Sequence, residues 1–461
     1  MMRMSDFPSW QQGIRREYPP LSGLHRADVA IVGGGLTGVT AAMLLAEQGL
    51  RVVLAEARRL GDGAAWACAG IVTAQLGAAY QTIADTAGLE TAALFARMTL
   101  DAVEQVRDTA LRLNAPCQPR ATDVYTYAFL KRDLPALERQ LALEQRLGLP
   151  VVPALDAGDC PFPVARSLLL SRQLTLSPLG YVMAMAERAR QAGCVIGERS
   201  PVRVVEEGQV LLAEAVIEAP TILLATGVPV GCRSTAILAN TRQSVRETVV
   251  LQGGAPFSNC HISVRDGGLT LRPLPSGYLT TWTLGPSGQD RRDREQLLDR
   301  VLAGRLPESR VTDGAIRQDV WSRDGLPLIG SIRENRRHLL MATGYSGYGV
   351  TGSMLAAQVI LRRILGRPLP EDAMFNPHRR YPGVGALVAS GARELHHIRQ
   401  RSRLHLRAPI CPHMGCRLRY SHASGKWECP CHGATFTVLG ENVDAPAMTP
   451  IRVTARDRPG E

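Results

Sequence analysis

The chain has 461 residues, of which 45% are hydrophobic and 21% charged, and it carries a net charge of +11 at pH 7. This length predicts about three domain-sized units, and the composition excludes a disordered or fibrous chain. Dispersed arginines supply almost all of the positive charge and form no nucleic-acid-binding module, so we expect no nucleic-acid partner.

The N-terminal residues lack the apolar core of a signal peptide, and no stretch approaches about 18 uninterrupted apolar residues. Of the ten cysteines, four cluster near the C-terminus and the others are scattered singly. That distribution is unlike the disulfide framework of a secreted protein. We therefore expect a cytoplasmic protein without an integral membrane segment.

The first motif along the chain is glycine-rich. An apolar strand runs directly into Gly33-x-Gly35-x-x-Gly38, a helix follows, and a second strand ends at Glu56. In a dinucleotide-binding turn, Gly33 permits the tight turn, Gly35 lets the backbone approach a pyrophosphate, and Gly38 lets helix and strand pack closely. Glu56 would accept a hydrogen bond from a ribose hydroxyl. The alternative, a glycine-rich turn without a ligand, is disfavoured by the strand, helix and acid around it.

The central segments alternate between two kinds of pattern. Residues 85–113 and 134–147 have the apolar spacing of helices, whereas 240–318 reads as strands. Residues 181–226 read as helix, strand and hairpin, and a last helix is predicted at 352–365. This order predicts an α/β fold, with a Rossmann-like nucleotide domain interrupted by an antiparallel sheet.

Near the C-terminus stand Cys411 and His413, then, after fifteen residues, Cys429 and His432. Two thiolates and two imidazoles on two loops can hold one [2Fe–2S] cluster, with the cysteines on one iron and the histidines on the other. A tetrahedral zinc site is the alternative. The cluster is favoured because zinc fingers usually pair Cys with Cys and His with His, whereas each loop here supplies one of each.

This C-terminal motif resembles that of the Rieske proteins, whose small domain is all-β. The resemblance implies a disulfide between the cluster loops, formed by Cys416 and Cys431. It also implies a cluster potential below that of respiratory Rieske proteins, because Ala434 and Phe436 replace a serine and a tyrosine that donate to cluster sulfur. Only about 30 residues separate the preceding linker from Cys411, so we expect a shortened base to this domain.

The preceding part of the chain resembles flavoproteins of the D-amino-acid oxidase and glycine oxidase superfamily, closest to a bacterial branch with a C-terminal Rieske domain. The resemblance is carried by the glycine-rich loop at 61–75, the returning strand at 221–227, and the closing flavin motif at 324–330 and 343–349. It implies FAD rather than NAD. The positions that it assigns to FAD are Gly33, Gly35, Gly38, Glu56, Gly70, Val202, Thr226, Gly227, Gly344, Gly347 and Gly349.

The resemblance also implies two domains: an FAD-dependent oxidoreductase domain at 1–378 and a Rieske domain at 379–461. Within the first, the expected FAD-binding segments are 26–84, 165–235 and 319–375, and the expected substrate-domain segments are 85–164 and 236–318.

In this superfamily an amine or amino-acid substrate is oxidised by the flavin. We expect electrons to continue to the Rieske cluster and then to a one-electron acceptor protein. The candidate substrate-site residues are Arg272, Tyr278 and Tyr345. Arg272 would clamp a substrate carboxylate, although a solvent-facing strand arginine is an equal alternative.

Two other functions are weighed against this one. The first is an electron-transfer protein or redox sensor without a small organic substrate. The second is a Rieske oxygenase, which needs a mononuclear iron held by two histidines and a carboxylate. The histidines outside the Rieske segment show no such spacing, so the oxygenase is disfavoured.

Overall fold

The computed structural model describes residues 15–114, 117–154, 158–231, 234–265, 268–288, 294–380, 408–422 and 424–453. The strands are β1 (Gly23–Arg26), β2 (Val29–Val32), β3 (Val52–Ala55), β4 (Ile71–Val72), β5 (Arg120–Ala128), β6 (Val151–Ala154), β7 (Arg166–Thr175), β8 (Val195–Gly197), β9 (Val202–Glu206), β10 (Gln209–Leu212), β11 (Ala215–Glu218), β12 (Thr221–Leu224), β13 (Thr241–Gln252), β14 (Cys260–Ser263), β15 (Thr270–Leu274), β16 (Gly277–Pro286), β17 (Arg310–Ser322), β18 (Leu328–Ser331), β19 (Leu339–Thr343), β20 (Arg419–Ser421), β21 (Lys426–Glu428), β22 (Thr435–Phe436) and β23 (Asn442–Asp444).

The predicted helix over 85–113 is interrupted at Gly88, whose φ of +91° separates two helices. No helix among the described residues combines the length and apolarity needed to cross a bilayer. The helices are α1 (Leu36–Glu47), α2 (Ala79–Ala87), α3 (Leu89–Arg112), α4 (Leu134–Arg146), α5 (Pro178–Gln191), α6 (Thr235–Asn240), α7 (Arg294–Arg305) and α8 (Gly349–Ile364), with 3-10 turns at Ala64–Ala67, Lys131–Asp133 and Pro370–Phe375.

The nucleotide domain is built on a sheet of order β18–β19–β12–β2–β3–β8. All neighbours are parallel except β18, which runs antiparallel to β19. Strands β2 and β3 are buried along their whole length, which explains their uninterrupted apolar sequences. Helices α5 and α8 both pack on α1. The predicted Rossmann-like architecture is confirmed.

The inserted domain is a nine-stranded sheet of order β17–β13–β16–β15–β14–β5–β7–β4, with β6 paired to β7. Most neighbours are antiparallel, but β14 runs parallel to β5, so the sheet is mixed rather than purely antiparallel. Strand β7 belongs to this sheet although the sequence assigned residues 165–235 to the nucleotide domain. Strand β17 likewise runs across the expected boundary at residue 319.

The C-terminal domain contains the antiparallel meander β20–β21–β22–β23. Its core packs Leu418, Trp427 and Phe436 around the buried thiols of Cys411 and Cys429. This is the predicted all-β domain. The expectation of a shortened base falls on residues 381–407, which lie outside the described ranges.

A buried ion pair fixes the end of the oxidoreductase domain. Arg379, 4% exposed in its side chain, donates from Nη2 and Nε to the fully buried carboxylate of Asp324 at 2.7 and 2.8 Å. Arg379 also donates to the carbonyl oxygens of Leu326 and Pro327. The chain therefore leaves this domain from a rigid point beside the closing flavin motif.

Candidate functional site

The three glycines of the first motif have distinct surroundings. Gly33 adopts φ +106°, and a Cβ there would lie 2.6 Å from the Ala225 carbonyl oxygen. A Cβ on Gly38 would overlap the Gly33 carbonyl. By contrast, no described atom lies within 4 Å of the Cβ position of Gly35, which caps α1 without a side-chain hydrogen bond. Open space before free helix N–H groups fits a pyrophosphate.

Glu56 lies beside this turn at the end of β3. Its Oε2 accepts from the Gly34 N–H at 2.7 Å and its Oε1 from the Arg58 N–H at 2.8 Å. Burial raises the pKa of this carboxyl. The Ser200 N–H donates to the Glu56 carbonyl, which brings the start of β9 at Val202 to the same edge of the sheet. A shared ribose and adenine site at this edge fits the arrangement.

The remaining residues predicted to bind the flavin follow the ends of β12 and β19. Thr226, after β12, accepts from the Val230 N–H at 3.2 Å, and Gly227 has φ +75°. Gly344 and Gly347 have φ +83° and +94°, and Gly349 begins α8. The N-terminus of α8 borders a cavity that the loop from Ala64 to Ala79 also lines, so its dipole favours negative charge there.

The structure does not support Arg272 as a substrate clamp. Its Nη1 donates to the carbonyl oxygens of Ala69 and Leu176, the latter at 2.9 Å, and the side chain is buried. A Cβ on Gly70 would lie 2.7 Å from this nitrogen. Arg272 therefore holds the glycine-rich loop at 61–75 against the sheet, and its guanidinium group binds backbone carbonyl oxygens.

Tyr278 and Tyr345, the other two predicted substrate-site residues, do not line the cavity beside the closing motif. Tyr278 is 2% exposed, packs in the apolar core of the inserted domain and hydrogen-bonds Ser309. Tyr345 bonds its hydroxyl to Thr37 Oγ1 at 2.9 Å and so ties the closing motif to the first turn of α1. Burial raises the pKa of Tyr345 far above its usual range. Tyr345 thus fits a positioning residue rather than an acid–base group.

A cavity of about 360 Å³ lies between the two large sheets. One side is formed by the loop from Ala64 to Ala79 and by the closing motif from Ser346 to Gly349. The other side is formed by strands of the inserted sheet. The glycine-rich segments assigned to the flavin ring therefore face a wall of the inserted sheet across this cavity.

Alternate residues of β13 and β17 form that wall. Arg246 stands directly opposite Arg317 in the register, and Arg242 opposite Trp321. Arg246 Nη1 lies 3.9 Å from Asp319 Oδ2. Burial raises the pKa of Asp319, which also accepts hydrogen bonds from backbone N–H groups. Arg246, Arg317 and Asp319 therefore place charge on the wall of the cavity, and of these three only Arg246 is an arginine of the predicted substrate sheet that the sequence also offered as a candidate.

The two cluster loops are tight backbone turns. The Cys411 N–H donates to the Cys416 carbonyl at 2.8 Å. In the second loop, the Cys429 N–H donates to the Ala434 carbonyl at 2.8 Å and the Gly433 N–H to the Cys429 carbonyl at 2.9 Å. Backbone hydrogen bonds therefore close each loop on itself.

The predicted ligands come together in two pairs. The His413 and His432 rings lie 5.1 Å apart, and the Cys429 thiol donates to Cys411, which holds the pKa of Cys411 down at about 7. His432 is 6% exposed, and neither ring nitrogen has a hydrogen-bond partner among the described residues. Burial lowers its pKa to about 4. A buried neutral imidazole with orphaned nitrogens beside paired thiols fits an iron–sulfur centre.

A disulfide joins the loops. Cys416 and Cys431 are bonded, with their Cα atoms 6.6 Å apart. The sulfur of Cys429 lies within 4.8 Å of both disulfide sulfurs. Since the two bonded cysteines are consumed by the disulfide, Cys411 and Cys429 are the thiols that remain in these loops to bind iron.

The second cluster loop packs against the inserted sheet. A Cβ on Gly433 would lie 2.5 Å from Gln318 Oε1 and 2.6 Å from Gln243 Cγ. Glu428, which directly precedes the predicted ligand Cys429, is 2% exposed and accepts from the Gly288 N–H at 2.9 Å. The cluster loop is therefore seated on β13 and β17.

The nucleotide domain contacts the Rieske domain as well. Arg58 Nη1 donates to the Val443 carbonyl at 2.6 Å, and its Nη2 lies 3.6 Å from Asp444 Oδ1. The Gly231 N–H donates to the Pro446 carbonyl at 3.3 Å. Because the Arg58 N–H also donates to the Glu56 carboxylate, Arg58 contacts both the Rieske domain and the residue predicted to bind the ribose.

Comparison with known proteins agrees with both domains. Residues 28–363 match the FAD dependent oxidoreductase family and residues 387–455 the Rieske [2Fe-2S] domain. The Rieske 2Fe-2S iron-sulfur protein YhfW of Bacillus subtilis (strain 168) is 24% identical to this chain, over 94% of each chain. Gamma-glutamylputrescine oxidoreductase of Escherichia coli (strain K12) is 25% identical over 81% of this chain and 93% of its own.

Among solved structures, glycine oxidase from Geobacillus kaustophilus aligns with a TM-score of 0.64 at 19% identity, covering 77% of this chain and 99% of that one. This likeness concerns the fold. The family match covers most of the chain and agrees with the glycine-rich turn, the closing motif and the paired cluster loops. The chain therefore belongs to the FAD dependent oxidoreductase family and carries a C-terminal Rieske [2Fe-2S] domain.

Proposed function

We propose that the protein is a dehydrogenase that oxidises an amine or amino-acid-like substrate and passes the electrons to its own Rieske cluster. Bound FAD can take two electrons from a C–H bond next to nitrogen, and a bound [2Fe–2S] cluster takes one at a time. The cavity beside the flavin loop favours a small organic substrate over a pure electron-transfer role.

One observation carries the electron path: two adjacent strands separate the cavity from the cluster loop. Side chains alternate across a strand. Arg246 and Asp319 therefore face the cavity, while Gln243 and Gln318 on the opposite face contact Gly433. This arrangement supports direct transfer within one chain.

Hydrogen bonds continue across the same place. Gln318 donates from Nε2 to Ser287 Oγ at 2.9 Å. Ser287 donates to Glu428 Oε2 at 3.4 Å, and Glu428 is bonded to the ligand Cys429 through the backbone. A continuous polar chain thus joins the cavity wall to the cluster loop.

The chain's own residues would prepare the site for this reaction. Arg272 fixes the flavin loop. The N-terminus of α8 and Arg246 place positive charge where negative charge grows on reduction. Asp319, whose pKa is raised by burial, is the carboxyl that lines the cavity and is placed to orient a substrate ammonium or accept its proton.

The test is anaerobic reduction of the flavin, by a substrate or photochemically, with the cluster followed by EPR. The cluster signal is expected to appear at a rate independent of protein concentration. His432→Ala should abolish that signal and slow turnover with one-electron acceptors while sparing flavin reduction. His422→Ala, at an exposed histidine of the same domain, is the matched control.

Two outcomes contradict the proposal. Turnover of His432→Ala at the wild-type rate with every acceptor would show that the cluster is not on the electron path. A flavin reoxidised faster by oxygen than by the cluster would indicate an oxidase with a structural Rieske domain.

A further inference from the structure

We infer that the substrate carries two anionic groups, so that the amine oxidised here is a dicarboxylate or an equivalent dianion. The inference rests on the proposed function, because it names the substrate class of the same cavity. It starts from the positive charge on the cavity wall.

The described residues around the cavity include five arginines and one carboxylate, Asp319. The arginines are Arg242, Arg246, Arg265, Arg317 and Arg323.

Neighbouring acids offset part of this charge. Asp319 lies 3.9 Å from Arg246, and Asp133 bonds Arg265. The carboxylate of Asp444 in the Rieske domain interacts electrostatically with Arg317, but it also interacts with Lys426 and Arg58. Guanidinium groups keep their charge at all working pH values. Among the described residues, the arginines that line the cavity therefore outnumber the carboxylates that face them.

The register makes this charge costly without a ligand. Arg246 and Arg317 are direct cross-strand neighbours on the cavity face, and like charges in such a pair are destabilising. A bound carboxylate or other anion, held by charge-assisted bonds from both guanidinium groups, turns that repulsion into attraction.

The charge is also distributed in two places. Arg246 lies against Gly347 of the closing motif, since a side chain on Gly347 would overlap its guanidinium. Arg242 lies four residues before Arg246 in β13, about 13 Å away at 3.3 Å per residue. It stacks on Trp321, with its Cζ 4.7 Å from the ring centroid. A single carboxylate reaches one of these places; an extended dianion reaches both.

The same wall argues against a cationic polyamine, because its free ammonium end would face guanidinium groups at either position. Asp319 between the two arginine positions is the acceptor for one ammonium or amine. One central amine with two acidic ends therefore matches the order of charges along the strands.

The experiment measures binding to the FAD-loaded full-length protein by calorimetry and flavin absorbance. The probes are non-oxidisable dicarboxylates from malonate to adipate, each compared with the monocarboxylate of equal length. At least one dicarboxylate should bind about tenfold more tightly than its partner. Arg242→Gln should weaken the binding of that dicarboxylate by about 10- to 100-fold, the range expected when hydrogen bonds to a charged group are lost. The same variant should have little effect on the binding of monocarboxylates.

Arg310→Gln is the control, because Arg310 is an exposed arginine at the far end of β17. It should leave both affinities unchanged. The inference is overturned if no dicarboxylate of the series outbinds its monocarboxylate, or if Arg242→Gln binds dicarboxylates as the wild type does.

Flavin bleaching separates this inference from the proposed function. Glutamate and aspartate are compared with glutamine and asparagine, which have the same shape and one charge fewer. Faster bleaching by the neutral amides would overturn the inference and leave the dehydrogenase standing. Bleaching by no amine at all, alongside a clear dicarboxylate preference in binding, would overturn the dehydrogenase alone.

Discussion

Replacing Gly433 by alanine should loosen the contact between the cluster loop and the cavity wall. A Cβ at this position would lie 2.5 Å from Gln318 Oε1 and 2.6 Å from Gln243 Cγ, about 1 Å short of ordinary van der Waals contact. Gln318 cannot swing away without losing its hydrogen bond to Ser287. Such overpacking costs about 1–3 kcal/mol, which shifts a docking equilibrium by about 5- to 150-fold.

The matched control is Gly415→Ala in the first cluster loop. Gly415 has φ +73° and Gly433 +77°, so both variants bear the same backbone strain, but no described atom lies within 4 Å of the Gly415 Cβ position. After flash photoreduction of the flavin, reduction of the cluster should slow in Gly433→Ala and not in Gly415→Ala, at equal cluster content. Hydrogen exchange in β13 and β17 should rise in the first variant only. Equal rates in both variants would refute the view that this contact carries the electrons.

Three further predictions concern stability and the cluster. Arg272→Leu should leave two buried carbonyls without their donor and cost about 3 kcal/mol, seen as a lower melting temperature and faster FAD loss without altered preference for acidic substrates. Burial raises the pKa of Glu144 from 4.5 to about 7, so the folded state binds a proton more tightly and stability should fall as pH rises from 4.5 to 7. Glu144→Gln should flatten that slope in urea titrations and stabilise the protein at pH 8 by up to about 3 kcal/mol; an unchanged slope would argue against the buried carboxyl. Ala434→Ser with Phe436→Tyr should raise the cluster midpoint by roughly 50 mV per donor gained, and a midpoint that stays or falls would count against missing hydrogen bonds as the cause.

Features set by local spacing could be predicted from the sequence. The turn from Gly33 to Gly38 and the paired loops around Cys411 and Cys429 place their groups through a few neighbouring backbone torsions. A pattern of a few residues therefore suffices to identify them. The same holds for the order of strands and helices in the nucleotide domain.

Features that depend on which face of a strand meets which partner could not be predicted. Arg272 and Tyr278 lie in the strand segments that suggested a substrate site, yet the fold turns the first toward loop carbonyls and the second into an apolar core. Arg317 and Asp319 do occupy the cavity face. Their alternation with neighbouring residues in β17 was a readable signal, but only once Arg310–Ser322 is recognised as one strand.

The seating of the cluster loop on the back of the cavity wall has a consequence for how this protein can change over evolutionary time. Substitutions can alter one face of β13 or β17 while sparing the other. A single inserted or deleted residue near Ile316 cannot, because a one-residue slip exchanges the two faces. Arg317 would then point at the cluster loop and Gln318 into the cavity, so substrate recognition and electron delivery would fail together. We expect homologues that retain both domains to keep the length of this strand pair fixed while their loops vary freely.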